Sequence, residues 1–141
     1  MESSPTIIQG GMHTDQRGTI RFFNDFDMEP IKRFYIIEHT DTETIRAWRA
    51  HQIEQRWFHV SQGVFKIQLV KIDNWENPDR NLPKEEFIIS AQDNQVLHIP
   101  KGFASSIQAL ESKSKAIVFA DYGIENAKLD DHLYPIDYFN K

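Results

Sequence analysis

Between residues 64 and 72, Phe65, Ile67 and Leu69 fall on one side of the chain and Lys66 and Gln68 on the other. That period of two suits a strand with one buried face and does not suit a helix. Runs of similar length and character recur at 31–38, 45–51, 56–60, 86–90, 95–99, 105–110 and 116–122, separated by turn signals. No long 3.6-residue repeat competes with them. The pattern predicts an all-β fold, a small barrel or sandwich closed to protect its edges. Gln62-Gly63 and Pro100-Lys101-Gly102 read as tight turns. The polar stretch 74–84, with Pro78 and Pro83, is expected to be the longest loop. Residues 130–139 are expected to form a short helix or an irregular tail that lays Tyr134, Tyr138 and Phe139 on the barrel. With 141 residues, no repeats and no composition break, the chain reads as a single domain, 1–141.

Charge and composition exclude several classes of function. A net charge of −5 and a pI near 5.6 argue against nucleic acid, which needs a clustered basic face. With no apolar run near 18 residues and no basic-then-apolar leader, neither a membrane span nor a secretory signal is expected. The absence of cysteine removes disulfide and thiolate chemistry and is compatible with a cytoplasmic location. The arginines are unevenly placed: Arg17, Arg21, Arg33, Arg46, Arg49 and Arg56 all fall in the first 56 residues. A guanidinium is a planar fork suited to phosphate or carboxylate.

Two segments concentrate the chemistry. Arg46-Ala-Trp-Arg-Ala-His-Gln-Ile-Glu-Gln-Arg-Trp-Phe-His-Val-Ser-Gln-Gly63 and His98-Ile-Pro-Lys-Gly-Phe-Ala-Ser105 resemble the two signature motifs of a cupin, a jelly-roll or double-stranded β-helix barrel. In metal cupins these motifs carry His-x-His, a Glu and a later His. Here Arg49 stands for the first His, Arg56 for the Glu and Ser105 for the last His, leaving His51. A divalent ion needs several donors, and guanidinium groups repel it. The expectation is therefore a pocket with no metal or cofactor, holding an anion beside one imidazole.

The resemblance narrows further. Ile31-Lys-Arg-Phe-Tyr-Ile-Ile37, the motif around His51, Asp15-Gln-Arg-Gly18 and the ending Asp121-Tyr-Gly, Asp130-Asp-His-Leu-Tyr134 and Tyr138-Phe139 resemble the TDP-4-keto-6-deoxyglucose 3,4-ketoisomerases. The stretch from Ile89 to Ala104 resembles TDP-4-dehydrorhamnose 3,5-epimerases. These resemblances imply a homodimeric jelly roll acting on a TDP-linked keto sugar, with His51 removing a proton from a carbon beside the ketone. An imidazole titrates near neutrality and can take and return that proton. Arg49, on the same strand face as His51, would face the enolate oxygen. Arg17, Arg33, Tyr35, Arg56, His59 and Ser105 are the substrate-binding candidates.

The sequence also departs from both patterns. The ketoisomerases normally carry a second His where Arg49 stands. The late-strand Tyr acid of the epimerases aligns with Ile117, and their C-terminal Asp partner of the base has no counterpart. A replacement acid is sought in Tyr35, Tyr122 or His59, Tyr122 first. Three readings stay open: ketoisomerase, 3,5-epimerase, or a non-catalytic cupin that binds a nucleotide sugar. Of the other histidines, His13, His39 and His132 are expected at the surface and His98 packed or at the rim. Trp48 and Trp57 are candidates for stacking on a sugar or base, or for sealing a subunit contact.

Overall fold

The computed structural model describes residues 4–139. The alternating runs become eight strands that make the barrel: β4 (Arg33–His39), β5 (Ile45–His51), β6 (Arg56–Gln62), β7 (Val64–Lys71), β8 (Glu85–Ser90), β9 (Gln95–Ile99), β10 (Phe103–Ala109) and β11 (Ser114–Ala120). One sheet runs β9-β6-β11-β4 and the other β5-β10-β7-β8, which is the strand order of a jelly roll. Shorter strands extend it. β1 (Thr6–Gln9) pairs with β9, β2 (Gly11–Asp15) and β3 (Gly18–Phe22) form a separate hairpin, and β12 (His132–Leu133) pairs with β5.

Alternation decides what the barrel encloses. Phe58 and Val60 of β6, Phe65, Ile67 and Leu69 of β7, and Val118 of β11 meet between the sheets with Leu97, Ile107 and Phe103. A second core lies on the outer face of the other sheet. There the tail delivers Phe139, 2% exposed, onto Trp48, Ala50, Val70 and Ala104, with Tyr134 and Tyr138 packed beside it. The expected covering tail is thus present, as β12 plus irregular chain rather than a helix; among the described residues the helical turns after β11 are 3₁₀ (Ile124–Asp130). Trp48 is fully buried there and donates its indole N–H to the Ile136 carbonyl at 3.1 Å, so it is core. Trp57 lies on the outer face of the first sheet, stacked on His98 with ring centroids 4.9 Å apart.

Turn chemistry follows the sequence. Gly63 adopts φ +78° between β6 and β7, and a Cβ there would strike Ser114. The 72–84 loop is held by Asx turns on Asn74 and Asp79, while Asp73 accepts the backbone N–H groups of Asn74 and Asp79. No helix among the described residues is long and apolar enough to cross a membrane.

Candidate functional site

The site forms where β4 and β5, edge strands of opposite sheets, diverge. Period-two alternation aims Arg33, Tyr35 and Ile37 inward from β4, and Ala47, Arg49 and His51 from β5. On β5 an extra residue is accommodated between the Ser105–Arg49 and Ile107–Arg46 pairings, a bulge of the kind that re-aims side chains beside functional sites. A cleft of about 590 Å³ runs along the seam, lined by Tyr35, Ile37, Arg46, Arg49, Arg56, Ser105 and their neighbours. An adjoining depression of about 300 Å³ shares Tyr35, Arg49 and Arg56 with it and adds Arg33, His51, Lys128 and Asp131.

His51 is 8% exposed and built into this wall. Its Nδ1 lies 2.8 Å from the Asp130 carbonyl oxygen. A carbonyl only accepts, so Nδ1 carries the hydrogen and Nε2 keeps its lone pair. Nε2 is buried and has no hydrogen-bond partner. Burial chiefly, and then the Arg56 charge, hold the imidazole down to about 4, against the opposing pull of Glu54 and Asp130. The ring is neutral at physiological pH, and its basic nitrogen is not engaged by any hydrogen bond.

Two acids that the sequence did not single out organise the surroundings. Asp130, 1% exposed, accepts the backbone N–H groups of Gln52, Ile53 and Glu54 at 2.7–3.1 Å, locking the turn after β5. Its Oδ2 is 3.9 Å from His51 Nδ1. An acidic group therefore stands beside the imidazole. Glu54, 2% exposed, accepts from Arg56 Nε at 2.8 Å and Arg33 Nη2 at 3.0 Å. Arg49 Nε pairs with Asp131 at 2.9 Å on the open side of the cleft, where the Arg49 side chain is 53% exposed. Among the described residues no three His, Cys, Asp or Glu side chains group into a metal-holding set.

The predicted residues thus separate. His51, Arg49, Arg33, Tyr35 and Arg56 converge, and Ser105 lines the same cleft at 7% exposure. Tyr122 does not: it contributes its carbonyl to Arg33 Nε at 3.1 Å, and it is absent from the lining of both depressions. His59 does not either, because on β6 it lies opposite in parity to Arg56 and Phe58. Its Nδ1 meets the Gln95 carbonyl and its ring packs on the edge of Phe23. Arg17 sits at the tip of the β2–β3 hairpin, bound to Asp15 beside a different, shallow depression. Ile117 alternates outward between the inward Ala116 and Val118. The inward hydroxyl is Tyr35, on the neighbouring strand opposite Val118. Burial first of all raises the Tyr35 phenol, with Arg56 and Arg33 opposing, and the hydroxyl stays protonated.

His39 is not at the surface. It is 3% exposed and accepts from Arg46 Nε at 2.9 Å. His132 is half-buried against Trp75, while His13 is exposed and His98 is packed between Trp57 and the Gln55 side chain.

A cupin jelly roll, opened at one seam onto a histidine and several arginines, is the class that this fold and lining define. No protein-family model matches the chain, and no curated protein matches it in sequence. Solved structures do share the fold. The TDP-quinovose 3,4-ketoisomerase WlaRB from Campylobacter jejuni superimposes with a TM-score of 0.72 at 19% identity, over 99% of this chain and 100% of that one. A variant of the 3,4-ketoisomerase QdtA from Thermoanaerobacterium thermosaccharolyticum, in complex with TDP-4-keto-6-deoxyglucose, gives 0.73 at 18%, over 99% and 94%. The 3'-monoepimerase ChmJ from Streptomyces bikiniensis, in complex with dTDP-quinovose, gives 0.77 at 13%, over 94% of this chain and 70% of that one.

Proposed function

We propose that the chain is an isomerase that moves the carbonyl of a TDP-4-keto-6-deoxyhexose from C4 to C3. The observation that carries this reading is His51, whose buried Nε2 has no hydrogen-bond partner and whose ring lines a depression walled by arginines and one tyrosine. The likeness to the two ketoisomerases, each superimposing over 99% of this chain, supports it. In the proposed reaction His51 Nε2 takes the C3 proton, and the C–H electrons become the C3–C4 double bond of an enediolate. Tyr35 gives its hydroxyl proton to O4 and regains one from O3. The imidazolium then returns its proton to C4. Tyr35 takes the oxyanion role. Arg49, half-exposed at the mouth, faces the diphosphate. A proton NMR time course with TDP-4-keto-6-deoxyglucose tests the reading: a 3-keto product is expected. An unchanged sugar that still binds would favour a non-catalytic cupin, and inversion at C3 or C5 the epimerase.

The pH profile follows from the same ring. Only the neutral imidazole accepts a proton, so kcat/KM is expected to be lost as pH falls through the His51 pKa, with an acid inflection near 4 rather than 6.5. A profile already half-lost at pH 6.5 contradicts the assignment.

The same reading includes a homodimer. On the outer face of β4, Phe34 and Ile36 are 62% and 55% exposed, and they continue into Phe119 and Ile117 of β11 and Phe26. A contiguous apolar face of this kind is normally covered, and a second copy is the proposed cover. Sedimentation is expected to show a dimer that Phe34→Glu converts to monomer; a monomeric parent at tens of micromolar overturns it.

A further inference from the structure

Glu54 lies within the first motif segment but at none of its ligand positions, and the two inward guanidiniums of the site, Arg33 and Arg56, both meet it. Its carboxylate spans Arg33 and Arg56, and Oε2 also stands 3.9 Å from His51 Nε2. In the resting tautomer that nitrogen offers a lone pair, and a carboxylate gains nothing from it. Once Nε2 carries a proton, the same oxygen faces an N–H and a full positive charge in a site of low dielectric.

We propose that Glu54 is the charge-compensating residue of this site: it holds Arg33 and Arg56 in place and stabilises the imidazolium that forms when His51 takes a proton. This rests on the proton-transfer reading above and deepens it. The arrangement supplies what an Arg at position 49 cannot, a partner that responds to the charge of the base. His51 then receives the substrate proton on the nitrogen that Glu54 faces and gives it up from there, while Glu54 itself neither lines the cleft nor touches the sugar. It is a positioning residue. Part of the guanidinium charge assigned to substrate is also already engaged, since Arg33 and Arg56 each donate to Glu54. The groups that face His51 from the packed elements are Arg33 and Tyr35 of β4, Arg49 of β5, Arg56 of β6, and Lys128, Asp130, Asp131 and His132 of the closing segment. Of these, Arg56 opposes protonation most strongly and Glu54 favours it most strongly.

The test reads the ring itself and needs no turnover. Ring-labelled histidine NMR on the intact protein gives the titration midpoint of His51 in parent, Glu54→Gln, Glu54→Asp and Arg56→Gln. The midpoint is expected to fall in Glu54→Gln, to stay close to the parent in Glu54→Asp, and to rise in Arg56→Gln, where the carboxylate is released toward the ring. In parallel, Glu54→Gln is expected to lose about 10²-fold in kcat with KM changed little. Should Glu54→Gln fail to fold, Arg56→Gln carries the decision by the same signal. A midpoint that does not move in either variant overturns the proposal. If neither parent nor variant turns over the TDP-sugar, the proton-transfer reading fails, and the titration still decides whether Glu54 compensates the ring.

Discussion

His51→Ala is expected to reduce isomerisation by about 10³-fold while leaving TDP affinity within a fewfold of the parent. General base catalysis by a positioned side chain is worth about 10²–10⁴ in rate. Among the described residues no other imidazole lines the cleft: the remaining polar side chains there are guanidiniums, the Lys128 ammonium, a phenol, hydroxyls, carboxylates and the Trp48 indole. The ring's contribution to holding the ligand is small, because it is 8% exposed and presents one edge. Its removal leaves Glu54 and the arginines paired as before. Steady-state rates and calorimetric TDP titration separate the two effects. A variant that binds TDP at least tenfold more weakly and turns over at the parental rate would make His51 a binding residue and require another base.

Asp130→Ala is expected to be the most damaging single change to stability in the site, at about 3–5 kcal/mol. The carboxylate accepts three consecutive backbone N–H groups of the turn after β5, one of them, that of Glu54, deeply buried. With the oxygens gone, the Glu54 N–H is left buried without a partner. For a domain of this size the loss corresponds to a fall of on the order of 10 °C in Tm. Asp130→Asn keeps one acceptor oxygen and is expected to lose about half as much. Thermal unfolding of both variants provides the measurement, and an Asp130→Ala protein that melts with the parent would show that the turn holds without its latch. The turn connects His51 to Glu54 and Arg56, so the same variant is expected to lose activity as well.

The fold was legible because it rests on a period that residues carry locally. All eight barrel strands were visible as alternating runs, with ends displaced by up to two residues at β4, β6, β10 and β11. The strands that escaped, β1, β2, β3 and β12, are short and largely exposed, so they carry no buried stripe to read. Within the site, parity is the most informative rule. Once Arg56 points into the cleft, Phe58 and Val60 follow it and His59 must face outward. Likewise Val118 faces inward and Ile117 outward, which leaves Tyr35 across from Val118 as the hydroxyl on the correct face. Glu54 and Asp130 were not legible for a different reason. Each is an ordinary acid in a connecting segment, and their meeting depends on chain closure across 76 residues. Only the run Asp130-Asp131-His132 hinted at a polar cluster, and nothing in its spacing pointed to position 51. His39 was misplaced for the same reason: its polar neighbours in sequence say nothing of Arg46 and Phe65, which enclose it.

The central claim is that a neutral His51 inside the cleft moves a proton between carbons of a bound keto sugar. Its most direct test is deuterium counted by mass spectrometry and located by NMR in TDP-4-keto-6-deoxyglucose recovered from deuterated water. The expected result is time-dependent incorporation at the carbon next to the original ketone or at the former ketone carbon, catalysed by the parent and absent with His51→Ala. A sugar recovered without deuterium after prolonged incubation with the parent, or one labelled equally fast by His51→Ala, would contradict it.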